Sequence, residues 1–202
     1  MNERRLLLIF TRNPELGKVK TRLAASIGDQ NALDIYTFLL EHTVSFTQNL
    51  KVDKQVHYSV KIRENDIWNE IIYTKKQQHG ADLGIRMQHA FEQGFEAGYN
   101  QIIIIGSDMY DLNEGDLEDA FSQLSSHDFV IGPAQDGGYY LLGMKQLKKS
   151  LFKNKTWGTS TVLADSMKDI EGELVAILEE RNDIDVFEDI KDIPTFARFI
   201  KV

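Results

Sequence analysis

Four cationic side chains follow the first apolar run of the sequence, Leu6–Phe10. They are Arg12, Lys18, Lys20 and Arg22, in a chain of 202 residues whose formal net charge is −8. Lysine and arginine placed after a strand can neutralise phosphate oxygens, and arginine can bind two of them at once. Gly17 would let the backbone approach such a ligand, and Thr11 adds a hydroxyl. The segment predicts a polyphosphate site, with ordinary surface charge as the alternative.

Familiar phosphate and hydrolase motifs do not explain this segment. A P-loop requires G-x-x-x-x-G-K-[ST], but Arg12 stands at the first glycine position and Val19 follows Lys18. The dinucleotide fingerprint G-x-G-x-x-G does not occur, and the G-x-S-x-G elbow of serine hydrolases does not occur either. Phosphate binding would therefore depend on the cationic side chains themselves.

A carboxylate follows the clearest predicted buried strand of the chain, Gln101–Ile105. Asp108 comes after Gly106 and Ser107, which make the strand exit small, and Ser107 adds a second hydroxyl beside the phosphate site. A carboxylate at the end of a buried strand can hold a hard cation such as Mg²⁺ and share it with phosphates. The alternative is that Asp108, or Asp111 three residues later, caps the next helix.

Two glycines precede a further apolar run in the sequence GPAQDGGYYLLG. Gly137 and Gly138 predict a turn in which the backbone comes close to another group, and Tyr139 begins the run after it. Asp136 is interpreted either as a turn residue or as a site residue. The residue types alone leave both open.

Two further residues are candidates from distant parts of the chain. Asp185, with Asp183 two residues before it, could complete a metal site, although acidic loops of this kind are common. Trp157 could stack on a base or a sugar, or it could simply be packed.

The elements that position these residues follow from hydrophobic periodicity. The predicted strands are Leu6–Phe10, Gln55–Val60, Gln101–Ile105, Phe129–Ile131, Tyr139–Leu142 and Leu174–Ile177. The predicted helices are Asp29–Gln48, Asp82–Ala97, Asn113–Leu124, Ser160–Lys168 and Pro194–Ile200. Because strands and helices alternate, we predict an α/β fold with a mostly parallel central sheet covered by helices. The length predicts a single domain over residues 1–202.

Composition excludes several classes of protein. The chain has no cysteine, which rules out disulfides, thiol catalysis and thiolate metal sites. Its acidic balance argues against nucleic-acid binding. The first apolar run is too short for a signal-peptide core or a membrane span, because Arg12 and Pro14 end it. We therefore predict a cytoplasmic protein.

The ordered motifs resemble a bacterial family, the selenodomain- or radical-SAM-associated transferase 1 family. This family belongs to the nucleotide-diphospho-sugar transferase superfamily. The resemblance is carried by FTRNPELGKVKTRL, QHGADLGIRM, GSDMYDL, GPAQDGGYYLLG and DIDVFEDI, and it extends from about Leu6 to Ile193. It implies a Rossmann-like α/β/α sandwich of the GT-A type and a divalent metal, Mg²⁺ or Mn²⁺.

The resemblance also implies roles for individual residues. The four cations correspond to the nucleotide-phosphate loop and Asp108 to the metal-binding acidic residue. Asp136 and the two glycines match the block on the acceptor side, to which we also assign Tyr139 and Trp157. Asp185 matches a second acidic position that can reach the metal. The chain departs from the family pattern in having a single aspartate, with Gly106 and Tyr110 two residues to either side, and in having Met109–Tyr110 where the family has Cys-Pro.

We predict a metal-dependent transferase that uses an activated nucleotide, with Asp108, Asp136 and Lys20 as catalytic residues. The leading reaction is glycosyl transfer from a nucleotide-diphospho-sugar to a small-molecule acceptor. The first alternative is nucleotidyl transfer from an NTP to a phosphorylated acceptor, which releases pyrophosphate and needs nearly the same cations. The second alternative is a nucleotide-binding module without chemistry.

Overall fold

One seven-stranded sheet runs through the computed structural model, which describes residues 3–200. The predicted domain 1–202 also includes residues 1–2 and 201–202, which lie outside the described residues. The strands are β1 Arg5–Thr11, β2 Asp53–Tyr58, β3 Thr74–Gln77, β4 Gln101–Gly106, β5 Phe129–Pro133, β6 Tyr139–Met144 and β7 Val175–Ile177. Their order is β3-β2-β1-β4-β6-β5-β7, and β6 alone among them is antiparallel to its neighbours. The predicted mostly parallel sheet is confirmed.

Helices cover both faces of the sheet. They are α1 Thr21–Ile27, α2 Asp29–Thr47, α3 Leu83–Glu96, α4 Glu114–Ser126 and α5 Val162–Asp169, with 3₁₀ turns at Lys149–Phe152, Phe187–Asp189 and Pro194–Phe199. Alternate residues of β1 point to opposite faces, as the period of a strand requires. Leu7 and Ile9 pack with α2 and α4, whereas Leu6 and Leu8 pack with α3. The predicted α/β/α sandwich is therefore confirmed.

The structure also corrects the predicted elements. The helix predicted at Pro194–Ile200 is a 3₁₀ turn, and the helix predicted from Ser160 begins at Val162. Two elements, α1 and β3, were not predicted. Within residues 3–200, none of the helices combines the length and apolarity needed to cross a bilayer.

A buried histidine on β2 couples folding to pH. His57 is buried, stacks on Phe10 with 5.3 Å between ring centroids, and has its Nε2 3.2 Å from Gln55 Oε1. Burial, assisted by the charges of Lys76 and His79, lowers the pKa of His57 to about 3. The folded protein therefore keeps this ring neutral at pH values where the unfolded chain protonates it.

We expect the free energy of unfolding to fall as the pH drops from 6.5 towards 3, because the unfolded state then binds the extra proton. The contribution of His57 is at most about 1.4 kcal/mol per pH unit in this window. Urea denaturation between pH 5 and 7.5 should show a flatter profile for His57→Gln than for the unsubstituted protein. His79→Gln, at an exposed position, is the control. Equal slopes for both variants would contradict the assignment.

Candidate functional site

The predicted site residues converge because of the strand directions. The carboxyl ends of β1, β4 and β5 lie at one edge of the sheet, and the antiparallel β6 begins there. Residues 12–22, here called the cation segment, follow β1. Asp108 follows β4, and Asp136 lies in the turn between β5 and β6. This is the edge at which open α/β sheets bind ligands.

The centre of the site is an ion pair between the cation segment and the loop after β4. Lys20 Nζ donates to Asp108 Oδ2 at 2.8 Å, with the lysine side chain 6% exposed and the aspartate 34% exposed. Lys20 has left-handed backbone angles, φ 48° and ψ 45°, immediately before α1 begins at Thr21. This conformation is uncommon for a residue with a side chain. The ammonium group of Lys20 lies against Asp108 instead of in solvent.

The charge of Lys20 is maintained by its acidic neighbours. Burial lowers the pKa of Lys20, but the carboxylate of Asp108 raises it through charge and a hydrogen bond, and Asp183 adds to this. The net pKa lies above that of a free lysine. Lys20 is therefore a fixed cation in the neutral pH range.

Asp183, which the sequence analysis placed second to Asp185, belongs to the central cluster. Burial, together with the nearby charges of Asp108 and Asp136 and against the opposing charge of Lys20, raises the pKa of Asp183 to about 6. Asp185 instead accepts from Arg22 Nη1 at 2.5 Å. Asp183 therefore faces Asp108. Asp185 instead joins the segment after β7 to the cation segment through its contact with Arg22.

An arginine that the sequence analysis did not single out holds the segment with Asp183 in place. The largely buried guanidinium of Arg181 donates to the backbone carbonyl of Asp111 and, at 2.8 Å, to Asp116 Oδ1. Asp116 and Asn113 form a capping box at the start of α4, so neither Asp108 nor Asp111 caps that helix. The helix-cap alternative for Asp108 is wrong, which leaves its carboxylate available to the site.

The other cations of the segment lie further out. Lys18 is exposed and pairs with Glu15 at 2.9 Å, and Arg12 is also exposed. A hydrogen bond and charge from Lys18 lower the pKa of Glu15, with smaller contributions from Lys61 and Arg63. The segment after β2 thus brings two cations, which were not predicted, beside residues 13–15 that follow β1.

Two predicted phosphate ligands form a buried hydroxyl network. Ser107 Oγ donates to Thr11 Oγ1 at 3.1 Å, and both hydroxyls lie 3.3 Å from the hydroxyl of Tyr36. The backbone N–H of Arg12 donates to the same tyrosine at 2.9 Å. The network ties the ends of β1 and β4 to α2. Gly17 has φ 71°, which fits its predicted role of allowing a close backbone approach.

The turn between β5 and β6 packs closely on the segment before α5. Asp136 Oδ1 accepts from Gly138 N at 2.8 Å, so Asp136 is a turn residue that also faces the cavity described below. Gly137 has φ 85°, and its carbonyl accepts from Leu163 N at 2.9 Å. The sequence prediction that the backbone comes close to another group here is confirmed by the contact with Ser160.

Gly137→Ala should lower the free energy of unfolding by at least about 3 kcal/mol, the range of severe single substitutions. A Cβ at this residue would lie 2.3 Å from the carbonyl oxygen of Ser160, and the backbone is left-handed. Gly158→Ala is the matched control, since Gly158 has φ 81° and nothing within 4 Å of a Cβ. It should lose only about 1 kcal/mol, the usual cost of left-handed backbone. Similar losses in chemical denaturation would contradict the steric argument.

A cavity of about 240 Å³ opens beside the carboxylates. Asp108, Asp136 and Asp183 form one side of it, and Tyr139 and Trp157 form part of the rest. The indole of Trp157 packs against Gly84 at the start of α3, where a Cβ would lie 2.5 Å from it. Trp157 is therefore both packed and a cavity wall.

The donor set fits a divalent metal shared with a ligand. Within residues 3–200, no three histidine, aspartate or glutamate side chains form a ready-made metal site. Asp108 and Asp183 are nevertheless two neighbouring carboxylates, and Mg²⁺ is commonly bound by one or two carboxylates together with phosphate oxygens and water. The residues therefore fit a metal that arrives with a diphosphate.

Comparison with known proteins places the chain in a family. A family model described as "Uncharacterized protein conserved in bacteria (DUF2064)" matches residues 42–159, more than half of the sequence. The chain belongs to the DUF2064 family. No protein with a curated description matches it significantly.

Solved structures confirm the fold predicted for this DUF2064 protein. A Desulfovibrio desulfuricans G20 protein, provisionally assigned as a nucleotide-diphospho-sugar transferase, is 29% identical, with 92% of this chain and 84% of that chain covered and a TM-score of 0.83. A 4-diphosphocytidyl-2C-methyl-D-erythritol synthase from Anaerococcus prevotii DSM 20548 is 12% identical, with 94% and 93% covered and a TM-score of 0.60. The inositol-1-phosphate CTP transferase of T. maritima is also 12% identical, with 98% and 96% covered and a TM-score of 0.57.

Proposed function

We propose that this protein is a transferase that uses an activated nucleotide, and that its reaction is glycosyl transfer from a nucleotide-diphospho-sugar. The observation that carries the proposal is the ion pair between the buried Lys20 and the partly exposed Asp108 at the carboxyl ends of the strands, with Asp183 beside it. The description of the Desulfovibrio protein supports the same reaction. Membership of the selenodomain- or radical-SAM-associated group, inferred from the sequence motifs, is part of this proposal.

Each residue has a separate role in the proposed step. The acceptor oxygen forms a bond to the anomeric carbon, and the bond from that carbon to the diphosphate breaks. The electron pair leaves with the diphosphate, whose growing charge faces Lys20 and Arg22. The acceptor proton passes to Asp136, which lines the cavity and would lie within hydrogen-bond reach of an acceptor there.

A divalent metal held by Asp108 and Asp183 would stabilise negative charge on the diphosphate. In its absence these two carboxylates repel each other, which contributes to the raised pKa of Asp183. A metal-bearing diphosphate would relieve that repulsion. Metal binding and donor binding should therefore be mutually dependent.

Nucleotidyl transfer is the second candidate. One structural neighbour is a 4-diphosphocytidyl-2C-methyl-D-erythritol synthase and another is an inositol-1-phosphate CTP transferase, each at 12% identity. The outer cations suit a triphosphate, because Arg12 and Lys18 are joined there by Lys61 and Arg63. The two reactions differ in the product that leaves, which gives a direct test.

The test is a product assay with Mn²⁺ and two substrate sets. UDP- and GDP-sugars with an acceptor mixture should release nucleoside diphosphate, whereas NTPs with sugar phosphates should release no pyrophosphate. Pyrophosphate release with no nucleoside diphosphate would assign the protein to nucleotidyl transfer instead. Thermal stabilisation by nucleotides without metal and without turnover would identify a binding module.

Asp183→Asn should weaken transfer and strengthen the fold. The raised pKa means that ionising Asp183 in the folded protein costs free energy, so its contribution to stability falls as pH rises from 3.8 to about 6 and stays low above that. At pH 7.5 the free energy of unfolding of Asp183→Asn should therefore be about 1 kcal/mol higher than that of the unsubstituted protein, after discounting for solvent screening. Urea denaturation at pH 4 and 7.5 measures this difference.

Asp185→Asn is the matched control for stability, because it removes the contact with Arg22 instead of relieving repulsion. It should give no gain at pH 7.5. Equal gains for the two variants would show that Asp183 is not the destabilised carboxylate.

A further inference from the structure

The cavity beside the three carboxylates has mostly apolar walls. Phe10 and Ile104 come from the sheet, Met87 and Leu83 from α3, and Trp157 from the segment before α5. Leu83 is 44% exposed, so an apolar surface continues to the cavity mouth. Apolar cavities of about 150 Å³ bind a benzene ring, and this cavity has about 240 Å³. Its size and walls therefore suit one aromatic ring or a short alkyl group.

The charged groups that line this cavity all have the same sign. Asp108, Asp136 and Asp183 line it, and within residues 3–200 no lysine, arginine or histidine does. Lys20 pairs with Asp108 from outside the lining, and Arg22 is engaged with Asp185. Anionic groups entering the cavity would therefore meet carboxylates instead of cations.

A bound metal would not reverse this balance. The three carboxylates carry three negative charges, which Lys20 and one divalent ion together would neutralise. The diphosphate of the donor would then add negative charge on the same side. Since the outer cations do not line the cavity, a second phosphate inside it would meet no compensating positive charge, and burying an uncompensated charge is costly.

We propose that this cavity takes an acceptor group that is neutral or cationic and largely apolar, such as an aromatic or alkyl alcohol or amine, and that it rejects phosphorylated acceptors. The inference rests on the proposed function for its assignment to the acceptor. An alcohol or amine at the inner end would have its polar group against the carboxylates and its apolar part against Met87 and Trp157. Each part of the ligand would thus contact a wall of matching polarity.

The test is a binding titration with three ligands of one shape: 2-phenylethanol, 2-phenylethylamine and 2-phenylethyl phosphate. Trp157 reports binding by fluorescence, because the other tryptophan, Trp68, is 2% exposed and lies in a separate part of the core. We expect the alcohol and the amine to bind at least tenfold more tightly than the phosphate. Trp157→Phe should remove the signal.

A charge variant separates the apolar and acidic contributions. Asp136→Asn should weaken binding of the amine by several-fold and leave binding of the alcohol nearly unchanged, since only the amine carries a charge. Phosphate binding equal to or tighter than alcohol binding would overturn the proposal, and so would the binding of none of the three ligands.

Nucleotide titration keeps this test distinct from that of the proposed function. If UDP-sugars with Mn²⁺ stabilise the protein but the alcohol and amine do not bind, the acceptor class is wrong and the transferase assignment stands. If the alcohol and amine bind and no nucleotide does, the cavity chemistry stands and the transferase assignment fails.

Discussion

Asp108→Asn should reduce the transfer rate by about 10²–10³-fold, the loss typical of removing one electrostatic contact in the transition state. Asp108 both lines the cavity and accepts from Lys20, so it connects the cation side of the site to the proposed acceptor side. The amide keeps the shape of the side chain but loses the charge that pairs with Lys20 and that would hold the proposed metal. The fold should survive, because the side chain is one-third exposed, at 34%.

Steady-state release of nucleoside diphosphate, with circular dichroism to confirm folding, measures this effect. Asp111→Asn is the matched control: it is the same substitution three residues later, at a carboxylate that is 51% exposed and outside the cavity lining. Its rate should change less than about threefold, as for most surface substitutions. Equal losses for the two variants would show that Asp108 has no special role.

Lys20→Met should lower the rate by about 10²-fold, because in the proposed reaction Lys20 is the preorganised cation that stabilises the leaving diphosphate. The two carboxylates that fit a metal remain in this variant. Mn²⁺ affinity should therefore be retained or increased, while the maximal rate falls. A loss of Mn²⁺ affinity equal to the loss of rate would mean that Lys20 acts on the carboxylates alone.

The control for this variant is an ion pair of equal length at the surface. Lys168 donates to Asp165 at 2.8 Å, the same distance as in the central pair, but its side chain is 75% exposed. Lys168→Met should leave both the rate and the affinity for Mn²⁺ unchanged, since exposed pairs contribute little. The contrast isolates burial and position from the loss of one lysine.

The sequence predicted the buried strands and the long helices because their hydrophobic periods are clear. It missed β3, an edge strand of the sheet, because its residues Thr74–Gln77 are all polar and no apolar pattern marks them. It missed α1 because the helix is seven residues long and begins after a left-handed lysine, without a side-chain cap. In both cases tertiary contacts determine an element that local propensity does not encode.

The candidate site was predictable only in part, for reasons of geometry. The residues after β1 and β4 could be grouped because parallel strand ends meet at one edge. Asp183 and Asp185 lie in one short segment, and nothing in the sequence distinguishes which of them faces Asp108. Arg181 contacts residues 65 and 70 positions away, which no local pattern reveals.

The central claim is that the cation segment and Asp108 hold one diphosphate between them. A crystal structure with a nucleoside diphosphate and Mn²⁺, with the metal located by anomalous scattering, tests it most directly. The account predicts Mn²⁺ in direct contact with the Asp108 carboxylate and with the diphosphate, and Lys20 and Arg22 directed at the phosphates. Mn²⁺ and diphosphate bound elsewhere, for example in the polar groove between Glu3 and Lys145 at the opposite end of the strands, would contradict it.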